Sequence, residues 1–182
     1  MQIHTHWTTL PETAKGTSAA IGNFDGVHRG HRHVIDIARK HGPLGIVTFE
    51  PHPREFFAPG APPFRLMNAD AKASRLAKLG VEHLFQLPFN AAMMAMSPEE
   101  FAQQVIKDGL GLSHVVVGAD FCFGKARAGT ADDLVAFGRE MGFGVTIAPL
   151  LKTGAGVSSS SAIRVALAEG KPTQAAEMLG HW

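Results

Sequence analysis

One stretch constrains this chain more than any other: Ile21-Gly22-Asn23-Phe24-Asp25-Gly26-Val27-His28-Arg29-Gly30-His31. A short apolar strand, Ser18–Ile21, leaves through glycines into a turn. An amphipathic helix opens directly after it, with Val34, Ile35 and Ala38 on one face. A strand that exits through glycines into a helix builds an anion site, because the first-turn N–H groups have no intrahelical partner and the helix dipole is positive there. The i, i+3 spacing puts His28 and His31 on the same side of that helix start. Gly30 between them lets a bulky group come close to the backbone. Imidazole donors at a positive helix end suit a polyphosphate, so Gly22, Asn23, Phe24, Asp25, Gly26, His28, Gly30 and His31 read as a grip for a nucleoside triphosphate. The plainer use of the same residues is a helix capped by one histidine. A zinc cluster of His28, His31 and His33 is disfavoured, since His33 turns off the helix face, and no protein metal ligand is assigned.

The rest of the chain alternates strand and helix. Strands are expected at Leu44–Phe49, Val81–Leu87, Val115–Val117 and Val145–Ala148. Helices are expected over Ala69–Leu79 with Gly80 as the stop, from Ser97 to Asp108, and from Thr130 to just before Gly142. Two more follow, one from Ser160 or Ser161 to near Gly170 and one over Pro172–Leu179. Ser97-Pro98-Glu99-Glu100 carries a capping box with proline at the first helical position. The expectation is a Rossmann-like, doubly wound α/β fold: a five-stranded, mostly parallel sheet with helices on both faces. Ligands of such sheets lie beyond the carboxyl ends of the strands. The unusual segments Gly22–His31, Glu50–Phe57, Gly118–Gly129 and Pro149–Ser161 all fall there.

Composition narrows the class. A length of 182 residues fits one domain spanning 1–182, and 45% hydrophobic residues suffice for a core. A net charge of +1 offers no basic excess for a nucleic-acid partner. Cys122 is the lone cysteine, which excludes an internal disulfide. Met1–His6 has neither a basic nor an apolar signal region, and no apolar run reaches the roughly 18 residues of a membrane span. A soluble cytoplasmic protein is expected.

Three further segments carry candidate chemistry. Ser159, Ser160 and Ser161 open a helix, where hydroxyls and unpaired N–H groups bind oxyanions, and Arg164 adds a planar cationic fork. Glu50-Pro51-His52-Pro53 is a rigid strand exit, and Phe56, Phe57 and Phe64 follow it. Their faces stack on planar rings or simply fill the core. In the Gly118–Gly129 loop, Arg127 suits a phosphate and Asp120 a ribose or adenine edge, with Phe121 and Phe123 in alternation.

The pattern His28-x-Gly30-His31 resembles the HxGH signature of nucleotidyltransferases. The longer string from Gly22 resembles the FMN adenylyltransferase module of bacterial FAD synthetases. So do Thr48-Phe49-Glu50-Pro51-His52-Pro53, Val116–Phe121 with Phe123-Gly124, Arg127-Ala128-Gly129 and Ser159–Arg164, in order from about residue 16 onward. The resemblance implies transfer of AMP from ATP to FMN, giving FAD and pyrophosphate by direct in-line displacement, with Mg²⁺ carried mainly on the ATP phosphates. It assigns His28, His31 and Arg164 to catalysis, and Asp120, Arg127 and Ser159–Ser161 with the glycine turn to ATP. It assigns Pro51, His52, Pro53, Phe56, Phe57, Phe121 and Phe123 to the flavin. Ser161 stands where the family carries threonine, and Cys122 and Arg29 depart from its usual residues. The resemblance further implies adenylylation alone, with riboflavin kinase activity supplied by another protein. Competing readings are an HxGH enzyme with another acceptor, such as phosphopantetheine or nicotinamide mononucleotide, and a non-catalytic flavin or ATP sensor derived from the enzyme.

Overall fold

The computed structural model describes residues 1–153 and 156–181. Parallel strands form a six-stranded sheet: β1 (Gln2–His4), β2 (Ser18–Ile21), β3 (Leu44–Glu50), β4 (His83–Pro88) and β5 (His114–Gly118), with the sixth at Gly144–Ala148. Two two-residue ladders lie outside it, β6 (Cys122–Phe123) with β7 (Gly129–Thr130) and β9 (Lys152–Thr153) with β10 (Gly156–Val157), so the Gly144–Ala148 strand is β8. Strand order in the main sheet is β1-β4-β3-β2-β5-β8. From β2 the chain moves outward through β3 and β4, then returns to the other side of β2 as β5. Strand β2 pairs with both β3 and β5, so the direction of winding reverses there. A crevice opens beyond the carboxyl ends at such a point.

Alternation along the strands sorts the core onto two faces. Val47, Phe85, Leu87, Val115 and Val117 pack on one side with Phe101, Val105, Ile106 and Leu134. Ile46, Leu84 and Val116 pack on the other with Ile35, Ala38 and Leu76. The first side is covered by α5 (Pro98–Glu100), which continues as a π-helix over Phe101–Gly109, and by α6 (Ala131–Met141). The second is covered by α1 (Arg29–Ala38) and α3 (Ala69–Lys78). Helices α7 (Ser160–Ala168) and α8 (Pro172–Leu179) form a hairpin with its own small core of Ile163, Ala166, Ala175 and Met178, packed against Leu66. Short helices α2 (Pro53–Phe57) and α4 (Ala91–Ala95) complete the set.

The doubly wound α/β expectation holds, with a sixth strand added. Gln2–His4 carries no apolar run and pairs only because β4 offers it an edge, in register Gln2↔His83. Its side chains are mostly exposed, apart from His4, whose ring stacks on His83 and Phe85 with centroids 5.4 and 5.2 Å away. The expected capping box is present, Ser97 and Glu100 each bonding the other's backbone. The helix it opens widens to π geometry, with Leu110 N bonded to the Val105 carbonyl, a spacing that apolar periodicity does not resolve.

Candidate active site

The glycine turn after β2 is strained and heavily pinned. Phe24 (φ 50°) and Val27 (φ 41°) adopt left-handed backbone, which is costly for a bulky and for a β-branched residue. Such strain persists only where neighbours over-determine it, and they do. The Asn23 carbonyl accepts from Thr48 Oγ1 (3.1 Å) and Lys72 Nζ (3.4 Å). The Asp25 carbonyl accepts from Ser160 Oγ (2.8 Å), and the Gly26 carbonyl from His181 Nε2 (2.9 Å). Phe24 and Val27 are also fully packed under the turn, with exposures of 1% and 0%. At Gly26 (φ 85°) a Cβ would sit 2.8 Å from Leu66, so glycine is required there twice over.

His28 and His31 meet as the sequence expects, but packed against one another. Their rings stack at 3.6 Å, and Phe24 lies 4.9 Å beyond His31. His28 is also the cap of α1, its Nδ1 accepting from the His31 amide at 3.3 Å. The capping and donor roles are therefore compatible: an accepting Nδ1 leaves the ring proton on Nε2, free to donate elsewhere. Burial holds the His28 imidazole down at about 4, more than the nearby Asp25 carboxylate can restore, so the ring is neutral at pH 7. His31 is likewise held well below its ordinary value, chiefly by its own burial and then by His28 and Lys72. Its Nδ1 is buried without a partner. At Gly30 the group that approaches the backbone is the Ser158 carbonyl, 2.7 Å from where a Cβ would stand. That contact brings the serine segment against the histidine turn.

Arg164 is committed within the protein. Its Nη2 donates to Asp25 Oδ2 at 2.5 Å and its Nε to the Phe64 carbonyl at 2.9 Å, with the guanidinium 5.1 Å from the Phe64 ring centre. Asp25, only 4% exposed, also accepts from the Leu66 amide (2.9 Å) and the Met67 amide (3.2 Å). Its oxygens face these donors rather than an open site. Among the serines, Ser159 caps α7 through the Ala162 amide, Ser158 bonds the Met178 carbonyl and Ser160 bonds Asp25. Ser161 is exposed at the helix start. Together these contacts tie the α7–α8 hairpin to the glycine turn.

The Glu50–Phe57 segment lies beside this joint, with a cis bond between Glu50 and Pro51. His52 meets Phe64 edge-on at 4.9 Å, and its imidazole is pushed down mainly by burial, with Arg65, Arg164 and Lys72 adding to the effect against Asp25. Pro53 begins α2, which His52 caps. Phe56 and Phe57 pack edge-on against Phe89 at 5.5 and 5.9 Å, and Phe57 is 64% exposed. Phe121 and Phe123 do not join them. They stack on each other at 5.5 Å, and Phe123 runs into the core on Phe101. Asp120 and Arg127 lie exposed in the loop after β5, Arg127 in left-handed backbone.

Sequence reasoning overlooked Lys72 and Arg65, and it named Thr48, Glu50 and Phe64 without the partners the fold gives them. Lys72, 3% exposed, donates to Glu50 Oε1 (2.7 Å) and Thr48 Oγ1 (3.1 Å), while Arg65 bonds the other Glu50 oxygen (2.8 Å) and Glu55. A signal for Lys72 does exist: it occupies the 72–76–79 stripe with Leu76 and Leu79, where a helix facing the core carries apolar residues.

Comparison with known proteins bears on what this arrangement does. The FAD synthetase family model matches residues 10–162. A bifunctional riboflavin kinase/FMN adenylyltransferase of Pseudomonas fluorescens is 39% identical over 99% of the chain and 59% of its own length. The corresponding protein of Escherichia coli K12 is 35% identical, with 92% and 55% covered. A FAD synthetase of Listeria monocytogenes is 32% identical over 97% of the chain and 74% of its own length. The chain thus spans little more than half the length of the bifunctional relatives. Among solved structures, a Streptococcus pneumoniae protein described as a macrolide-efflux protein superposes with a TM-score of 0.83 at 25% identity, over 98% of the chain and 61% of its own. Pantothenate synthetase of Thermus thermophilus, at 0.57 and 17% identity over 98% and 72%, shares the fold. Among the described residues no helix is long and apolar enough to cross a membrane.

Proposed function

Because the chain belongs to the FAD synthetase family, a family of nucleotidyltransferases, we propose that it transfers the adenylyl group of ATP to the phosphate of FMN, forming FAD and releasing pyrophosphate. The observation that carries this reading is the stacked, neutral His28–His31 pair seated on a pinned glycine turn at the point where the sheet reverses.

In this reaction an FMN phosphate oxygen attacks the ATP α-phosphorus, and the bond from that phosphorus to the pyrophosphate oxygen breaks. The nucleophile is already anionic at pH 7, so no general base is needed. What remains is alignment and stabilisation of charge on the α-phosphate and the leaving group. His28 Nε2 is a neutral N–H donor that keeps its proton through the cycle. The helix start and the Ser159–Ser161 segment add N–H and hydroxyl donors near it. Arg164 acts through Asp25, fixing the serine segment to the turn, and its Nη1 is the guanidinium nitrogen that would meet a phosphate. Asp120 and Arg127, on the exposed loop, take the adenosine side. Pro51, His52, Pro53, Phe56 and Phe57 form the flavin side, with Phe89 as backing, while Phe121 and Phe123 support that side from the core. Mg²⁺ enters as part of the substrate Mg-ATP. The described residues gather no cluster of three or more metal-binding side chains, and the Asp25 oxygens face other donors. These 182 residues are read as the adenylylating module, and the FMN they use is the product of riboflavin phosphorylation, the other activity named for the bifunctional relatives.

The test is to incubate the protein with Mg-ATP and either FMN or riboflavin and to separate the flavins. FAD is expected from FMN, and no FMN from riboflavin. Absence of FAD from FMN refutes the proposal, and phosphorylation of riboflavin refutes the single-activity part of it.

A further inference from the structure

A lysine on the buried stripe of a helix needs a reason. A buried ion pair seldom adds stability over apolar residues of similar volume, because desolvation offsets the attraction. Lys72 is 3% exposed, yet its ammonium is fully served: Glu50 Oε1 at 2.7 Å, Thr48 Oγ1 at 3.1 Å and the Asn23 carbonyl at 3.4 Å. Two of these contacts converge on one place. Thr48 Oγ1, which accepts from Lys72, itself donates to the same Asn23 carbonyl. That carbonyl belongs to the peptide unit leading into Phe24, the left-handed residue of the turn. In a planar trans peptide the C=O and the following N–H point in opposite directions. Drawing the Asn23 carbonyl towards Lys72 therefore aims the Phe24 N–H away from it. The same lysine couples the turn to Glu50 at the end of β3, and through Glu50 to Arg65.

We propose that Lys72 is a positioning residue of the nucleotide site: with Thr48 it fixes the Asn23–Phe24 peptide, holding the strained turn in the form that presents its amides and His31 to a polyphosphate. The inference rests on the adenylyl-transfer reading for the reaction, but its primary readout is ATP binding and needs no acceptor. An ion pair with a purely structural role would change melting behaviour and leave the ATP affinity of the folded protein alone. Two variants separate these cases. Lys72→Met removes the charge and keeps most of the volume. Thr48→Val removes the second pin on the same carbonyl together with one of the three acceptors of Lys72, is nearly isosteric, and keeps the test readable if Lys72→Met does not fold.

Calorimetric titration with Mg-ATP, well below each melting temperature, should show affinity reduced about tenfold in Lys72→Met and several-fold in Thr48→Val, the scale of one hydrogen bond each. FMN affinity should stay within about twofold in Thr48→Val, which keeps the Lys72–Glu50 pair beside the flavin side, whereas Lys72→Met removes that pair and should lower FMN affinity as well. The double variant should fall short of the product of the two effects, because both act on one carbonyl. Unchanged ATP affinity in folded Thr48→Val, or in folded Lys72→Met, overturns the proposal. A wild-type protein that binds ATP but makes no FAD refutes the FMN acceptor and leaves this test standing. A wild-type protein that binds no ATP overturns both.

Discussion

Removing the Arg164 side chain should destabilise the protein in a way set by Asp25. Asp25 is 4% exposed, and Arg164 is the cation that meets it, at 2.5 Å. In Arg164→Met the carboxylate keeps the Leu66 and Met67 amides but loses its counter-charge, and the Phe64 carbonyl loses its donor. Breaking one side of a buried pair costs roughly 3–5 kcal/mol. The two remaining amides place this case at the lower end, about 3 kcal/mol, or on the order of 6–12 °C in Tm for a chain of this size. Asp25→Asn leaves no buried charge, so it should cost less, and in the double variant the unpaired carboxylate is gone. A double-mutant cycle by urea unfolding should therefore yield a coupling of about 2 kcal/mol between the two positions. Arg164→Lys keeps the charge but not the fork that reaches Phe64, and should cost about 1 kcal/mol. An Arg164→Met protein that unfolds with the wild type, or a coupling below about 0.5 kcal/mol, would refute the assignment of Arg164 as the joint between α7 and the glycine turn.

Gly30→Ala should lower FAD formation and melting temperature together. Its Cβ would stand 2.7 Å from the Ser158 carbonyl and 3.1 Å from the His28 ring, an overpacking of about 1–3 kcal/mol that exceeds the helix-propensity gain of about 1 kcal/mol. A stabilised, fully active variant would show that the serine segment does not need to approach so closely. Acid should also weaken the fold. The folded His28 imidazole is held at about 4 against 6.5 in the unfolded chain, so its contribution is complete above pH 6.5 and is lost as pH falls from 6.5 towards 4. Urea unfolding at pH 5.0 should give about 2 kcal/mol less stability than at pH 7.5 from this residue alone, with His31, His4, His52 and His114 acting in the same direction. Equal stability at the two values would refute the burial argument.

Periodicity and punctuation settled much of this protein in advance. The apolar runs at residues 44–49 and 115–117, the Ser97 capping box and the glycine stops at Gly80 and Gly142 are local signals, and each specifies an element that the fold contains. The placement of the unusual segments at strand ends follows from alternation of strand and helix, and so does the meeting of His28 and His31, three residues apart on one turn. Strand β1 carries no such signal, because it forms only against an edge contributed from some eighty residues away.

The partners of the polar groups lay outside what local sequence determines. Sequence chemistry marks Arg164 as a phosphate fork and Asp25 as part of an ATP turn. The fold places them against each other across 139 positions and buries the carboxylate, so that their first duty is mutual neutralisation. Phe121 and Phe123 look like a ring-stacking pair with Phe56 and Phe57, yet they reach them only through Phe101, Phe49 and Phe89, because the Gly118–Gly129 loop turns back into the α5 face of the sheet. Lys72 looks like a solvated helix lysine until Thr48 and Asn23 are brought within 3.4 Å of its ammonium. Which segments become strands and helices, and which carry donors, is local information, because it depends on neighbours a few residues apart. Which donors and charges are spent on one another is settled when the fold closes. Desolvation in the crevice makes every unpaired charge costly, and the pairing that relieves it joins residues that the chain keeps far apart.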